Sequence, residues 1–127
     1  MGQLSLEKIE REISAATGLS GSDFGVLSRL ADLGDGKMRQ QSLAESLGWD
    51  KSRLSHHLTR MQQRQLILRK EADQRVVFVV LTKEGKAKLD AARPIHADAI
   101  RRHLLARLTD PQKETIVDIH TLLTEEA

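Results

Sequence analysis

Apolar residues recur at steps of three or four through the first sixty positions, and then the period changes. Leu4, Leu6, Ile9, Ile13 and Ala16 mark one face of a first helix that ends near Gly18. Ser20 can cap a second helix running to about Leu33, with Phe24, Leu27 and Leu30 inward and Gly34 as its stop. A GDGK turn at 34–37 follows. A third helix, from about Gln40 to Leu47, turns Leu43 and Leu47 inward and ends at Gly48, where a left-handed cap is needed. Asp50 then caps a fourth helix, whose Leu54, Leu58 and Met61 fall within about 40° of one direction. Trp49 and Leu54 have the spacing of a hydrophobic staple, which would set the angle between the third and fourth helices. Two helices joined through such a turn make a helix-turn-helix.

After Gln65 the pattern becomes β-type. Leu66, Ile67 and Leu68 lead to a polar tip, Glu71 to Arg75, and then to the run from Val76 to Leu81, which predicts a β-hairpin. A hairpin directly after such a helix pair is a wing. Thr82 can cap a long helix with Leu89, Ala92, Ile95, Ile100, Leu104 and Leu108 near one face, and Pro94 removes its bond to Asp90 and predicts a kink. Thr109, Asp110 and Pro111 start a last helix with Ile116, Ile119, Leu122 and Leu123 apolar. The expected fold is therefore α+β, mainly α. A winged helix-turn-helix at 19–82 lies between an N-terminal helix at 1–18 and C-terminal helices at 83–127, and these outer helices are expected to form a two-fold homodimer.

Charge singles out one element. The segment Lys51 to Lys70, KSRLSHHLTRMQQRQLILRK, holds six Lys or Arg and no Asp or Glu. A solvated helix favours carboxylates in its first turn, where the macrodipole is positive, and each base placed there costs about 0.3–1 kcal/mol. A phosphate backbone across that end reverses the sign. The net charge of the chain is only +2, but Lys37 to Arg75 holds nine Lys or Arg against four Asp or Glu, leaving eleven against fourteen elsewhere. A basic reading head on a mildly acidic body points to double-stranded DNA. Opposite the buried stripe lie Ser52, His56, Thr59 and Gln63, flanked by Arg53, Arg60 and Ser55, which are donors sized for base edges and phosphates. Arg39 and Gln40 at the start of the third helix and Lys51 at the start of the fourth join them. In the wing, Arg75 can enter a minor groove, with Asp73 two residues away to orient its guanidinium. Protonation of His56 and His57 near neutrality would add positive charge to this face. The competing reading is a protein-docking module whose basic face takes an acidic partner.

Other chemistries find little support. With no cysteine, disulfides, thiolate metal sites and thiol redox sensing are excluded. The longest apolar run, Val76 to Leu81, cannot span a bilayer, and the N-terminus lacks the layout of a signal peptide, so no membrane partner and a cytoplasmic location are expected. His96 and His103 are about 10 Å apart along one helix face, a spacing unsuited to a shared ion, and with His120 they are expected in packing or hydrogen bonding. No phosphate-cradling glycine loop, HExxH or triad spacing is present, so neither catalysis nor a cofactor is expected. Only Phe24, Trp49 and Phe78 are aromatic, leaving few walls for a flat effector.

The succession LSGSDFGVLSRL, SLAESLGWDKSRLSHHLTRM, a wing containing DQR, and VVLTKEGKAKL resembles MarR-type winged-helix transcriptional regulators from about Leu19 to Leu89. Asp73, Arg75, Leu81, Thr82 and Gly85 carry the most specific part of the match, an Asp-x-Arg wing followed by Leu-Thr-x-x-Gly. The resemblance implies a homodimer on pseudo-palindromic operators, usually a repressor and often released by a small molecule. It implies that Ser52, Arg53, Ser55 and His56 read bases and phosphates, that Arg75 enters the minor groove and that Asp73 orients it. The chain departs from the family pattern in three places. Gln65 stands where a glycine is frequent, which predicts a less tightly turned helix end; the wing tip is about two residues shorter; and the first helix is shorter.

Overall fold

A computed structural model describes residues 2–103 and 107–125. Among these residues the elements run α1 (Gly2–Thr17), α2 (Gly21–Gly34), β1 (Lys37–Arg39), α3 (Gln40–Leu47), α4 (Lys51–Gln63), β2 (Ile67–Ala72), β3 (Val76–Leu81), α5 (Lys83–His103) and α6 (Asp110–Glu125). The fold is mainly helical, with one small antiparallel sheet in the order β1-β3-β2.

Local chemistry accounts for most of the boundaries. Ser20 and Asp23 form a reciprocal capping box at the start of α2, which satisfies two otherwise orphan N–H groups. At its far end Asp35, not Gly34, takes the left-handed conformation (φ 52°). Gly48 closes α3 at φ 69°, a conformation that costs glycine nothing. Asp50 caps α4 by accepting from the Arg53 N–H at 2.7 Å. The end of α4 corrects an expectation. Gln65 adopts φ 65°, its N–H donates to Gln62 O and the Leu66 N–H donates to Met61 O. These are the two bonds of a Schellman motif, so this end turns as tightly as a glycine would allow.

The hairpin is longer and its tip tighter than the pattern of polar residues predicts. Strand β2 continues through Lys70, Glu71 and Ala72, and Ala72 pairs with Val76, leaving only Asp73, Gln74 and Arg75 as the connection. Edge strands tolerate charged residues, because pairing uses the backbone and only one face of the strand meets the core. Strand β1 has no counterpart among the sequence expectations. It is three residues long and exists because Met38 pairs with Val79 of β3.

A single core runs through the chain. Leu19, Val26, Leu27, Leu30, Leu43, Leu54, Leu58, Met61, Ile67, Val79 and Leu89 are fully buried, and Ile9 and Ile13 of α1 and Ala92 and Ala99 of α5 belong to the same cluster. Burying each large aliphatic side chain contributes about 1.5–3 kcal/mol. The outer helices therefore share the winged domain's core, α1 lying chiefly along α5. Ala16 is exposed and its neighbour Thr17 is buried, its hydroxyl donating to Ile13 O. Helix α5 continues through Pro94 to His103. Helix α6, capped by a reciprocal Thr109–Gln112 pair, keeps Ile116, Val117, Ile119 and Leu122 exposed. The side chains of Leu4, Leu6, Leu104, His120 and Leu123 lie outside the described residues.

The Leu-Thr-x-x-Gly motif is a structural corner. The Thr82 hydroxyl donates to Gln65 O and accepts from the Gly85 N–H, so one side chain joins the end of α4 to the start of α5. Gly85 packs so closely on Leu66 O that a Cβ there would overlap it.

Candidate nucleic-acid interface

Helices α3 and α4 both begin without a carboxylate in their first turn. Arg39 occupies the N-cap of α3 with no side-chain cap bond, and Lys51 opens α4. Two positive helix ends thus lie beside added cations. Between them and the wing tip is a cleft of about 360 Å³ lined by Arg39, Gln40, Gln41, Lys51, Gln74 and Arg75, with the apolar floor supplied by residues such as Ala44 and Leu54. Three cations from three separate elements converge there, the arrangement expected of a surface that tracks a phosphate backbone.

Along α4, Ser52, Arg53 and His56 are exposed on the outer face and Ser55 is half-buried. The Arg53 guanidinium lies 4.0 Å over the Trp49 ring, which limits its freedom while the residue stays exposed. Trp49 packs on the core and meets His57 edge-on at 5.5 Å. Thr59 is also exposed; its hydroxyl donates to Ser55 O at 3.0 Å and accepts from Arg69 Nη2 at 2.9 Å, contacts that tie it to the wing as well as to its own helix. Arg60 Nη2 contacts His57 Nδ1 at 3.2 Å.

His57 departs from expectation, because it points inward. Its Nε2 lies 2.9 Å from Asp23 Oδ1, in ion-pair range but off-line for a hydrogen bond. Burial pushes its pKa below the usual histidine value, and Arg60 and Arg64 act in the same direction against the opposing pull of Asp23. Asp23 is almost wholly buried, and desolvation raises its pKa. The Arg64 guanidinium and the Ser20 N–H outweigh that and hold the carboxyl below its ordinary value. Arg64 Nη1 donates to Asp23 Oδ2 at 2.7 Å and its Nη2 to Gly18 O at 2.8 Å. One carboxylate therefore fastens α4 to the start of α2. The Ser20-x-x-Asp23 spacing is the signal in the sequence that marks this residue. Of the two adjacent histidines, only His56 faces outward.

At the wing tip, Gln74 and Arg75 both adopt φ 64°, a left-handed geometry that costs a non-glycine residue about 1–2 kcal/mol. Among the described residues no ion pair joins Asp73 to Arg75, so the expected orienting pair is not formed in the free chain; two consecutive left-handed residues aim the side chains differently from an extended tip. Arg69 was not expected at the interface. It follows Ile67 by two positions and so shares the strand's inward face, where its guanidinium meets α4.

Of the remaining histidines, His96 stacks on Phe24 at 4.6 Å and His103 lies 3.4 Å from Glu12. Phe24 and His96, with Ile9, Glu10, Ile13, Gly21 and Ile100, line a cavity of about 150 Å³ between α1, α2 and α5. Among the described residues no helix is long and apolar enough to cross a membrane.

Comparison with known proteins places this geometry. The family model described as transcriptional regulator SarA/Rot matches residues 8–92. The chain is 34% identical over 103 residues to the transcriptional regulator HosA of Escherichia coli O157:H7, an alignment that spans 80% of this chain and 74% of HosA. The fold superposes on AbsC, a MarR family transcriptional regulator from Streptomyces coelicolor, with a TM-score of 0.80 at 29% identity, over 98% of this chain and 85% of AbsC. Sco3205, a MarR family regulator of the same organism whose structure is a complex with DNA, gives a TM-score of 0.81 at 28% identity, over 98% of this chain and 80% of that one. The winged helix-turn-helix fold is thus shared with MarR family structures, and the chain belongs to the SarA/Rot family of MarR-type winged-helix transcriptional regulators.

Proposed function

We propose that the protein is a homodimeric repressor that binds a pseudo-palindromic operator, with the outer face of α4 in the major groove and the wing in the adjacent minor groove. The observation that carries this is the cleft in which Arg39, Lys51 and Arg75 converge beside two carboxylate-free helix ends. Ser52, Arg53, Ser55 and His56 read bases and phosphates, while Arg39, Gln40, Lys51 and Arg60 set the protein on the backbone. Arg75 enters the minor groove, and Asp73 swings to orient it once DNA is bound. The exposed apolar row on α6 supports pairing of two copies, and two-fold pairing matches the symmetry of operators read by such domains. Repression needs nothing beyond occupancy of the promoter. A small effector seated in the Phe24–His96 cavity would push on α2, which holds the recognition helix through Asp23, and so release the operator. The cytoplasm is where such a regulator works.

The test is fluorescence-anisotropy binding to duplexes tiling the gene's own upstream region, against a scrambled duplex, at two salt concentrations. A regulator should prefer one tile by about 10³-fold or more. Weak, equal binding to every tile would favour the protein-docking alternative.

A further inference from the structure

One arginine of the wing bonds to α4 through both its backbone N–H and its guanidinium. The Arg69 N–H on β2 donates to Gln62 Oε1 at 3.0 Å, Nη2 donates to Thr59 Oγ1 at 2.9 Å, and Nη1 and Nε donate to Ser55 O and Gln62 Oε1 at 3.4 Å each. Ser55, Thr59 and Gln62 succeed one another at four and three residues, so they form the side of α4 that faces the wing. Apolar packing around Leu58 and Ile67 also holds the two elements together, but such packing has no direction. A planar fork with several fixed donors does.

We infer that Arg69 is a positioning residue that locks the wing to the recognition helix, so that the major and minor grooves are read in one register. Ser55 O, Thr59 and Gln62 are its seats. The grooves of a duplex lie at a set distance, and the arm that must reach the minor groove is a three-residue tip carrying Arg75 beyond the last strand pair, Ala72 with Val76. Without the lock, that tip pivots relative to Arg53 and His56, and one of the two contacts is lost. The inference rests on the DNA-binding mode proposed above.

A double-mutant cycle tests it. In the unmodified chain Arg75→Ala should weaken operator binding by about 5- to 150-fold. In an Arg69→Gln background the same change should cost less than about threefold, because an unlocked wing no longer presents Arg75 in register. Arg69→Lys keeps the charge and loses the fork, so it should decouple Arg75 in the same way, and it carries the cycle if Arg69→Gln does not fold. Additive losses would make Arg69 an independent phosphate contact and overturn the inference, as would an Arg69→Lys chain that behaves as the unmodified one. If the unmodified chain shows no operator preference, the DNA reading falls, and amide hydrogen exchange of the DNA-free protein decides the matter. Faster exchange across 67–81 in Arg69→Lys supports the lock, and unchanged exchange overturns it.

Discussion

Asp23 and Lys51 show how differently two charged residues act on one helix. Asp23 is buried and works through partners inside the protein: Ser20, His57 and Arg64. Asp23→Ala should lower stability by about 1.5–3 kcal/mol, since it strands groups that had a charged partner, and a chemical denaturation midpoint checks it. Acid should act at the same place. His57 and His96 both have pKa values held below 6.5 by burial, so the unfolded chain takes up protons first, and stability is complete above 6.5 and is lost as the pH falls through the folded-state values. Asp23, also depressed, adds a further loss only at lower pH. The thermal midpoint should fall between pH 7 and 5, and the fall should shrink in a His57→Gln, His96→Gln chain; an unchanged slope would show that other groups are responsible. Lys51 is exposed at a helix end. Lys51→Ala should leave stability nearly unaltered, weaken all duplexes alike, and reduce the slope of log affinity against log salt by about one.

At the scale of elements, junctions matter more than helix interiors. The corner built by Gln65, Leu66, Thr82 and Gly85 fixes where α5 leaves the winged domain. Gly85→Ala puts a methyl against Leu66 O. A backbone oxygen yields less readily than a side chain, so the substitution should cost about 1–3 kcal/mol, as overpacking does in other cores. A melting temperature equal to that of the unmodified chain would mean that α5 shifts freely at this corner. The wing is the opposite kind of element. Its tip carries two left-handed residues and meets solvent on all sides, a strain that rests on the pairing of β2 with β3 behind it. Strand pairing and apolar packing hold that hairpin in place, and Arg69 adds the directional bonds to α4.

For the whole molecule, the contrast between α5 and α6 decides what remains available to a partner. Leu89, Ala92 and Ala99 of α5 are spent on the chain's own core, whereas Ile116, Val117, Ile119 and Leu122 of α6 stay more than two-fifths exposed. Exposed apolar residues of this kind are costly in water, and the proposed pairing of two copies would cover them. Ile119→Asp with Leu122→Asp should leave the winged domain folded, turn the protein into a monomer in sedimentation at micromolar concentration, and reduce affinity for a two-fold operator by at least about tenfold, since the second half-site no longer binds as one unit with the first. A variant that sediments as a dimer would move the interface away from α6.

Helix periods, caps and the basic stretch are properties of neighbours in the chain, and they were readable in order. Examples are Asp50 capping Arg53, Leu54, Leu58 and Met61 forming one buried stripe, and Lys51 and Arg53 where carboxylates belong. The family resemblance carried by Asp73, Arg75, Leu81, Thr82 and Gly85 was readable for the same reason, being a matter of local spacing. What distant parts of the chain do to one another was not readable. Strand β1 exists only because β3 offers it an edge, and Lys70 to Ala72 are strand because backbone pairing overrides their polarity. His57 turns inward because a buried carboxylate from α2 awaits it, and the Thr59 hydroxyl accepts a bond from Arg69 that reaches it from the wing. Local sequence determined which residues are candidates for the interface, and tertiary packing decided where each of them points and what it bonds to, because a hydrogen bond or burial supplied by a remote segment outweighs the preference of the residue itself.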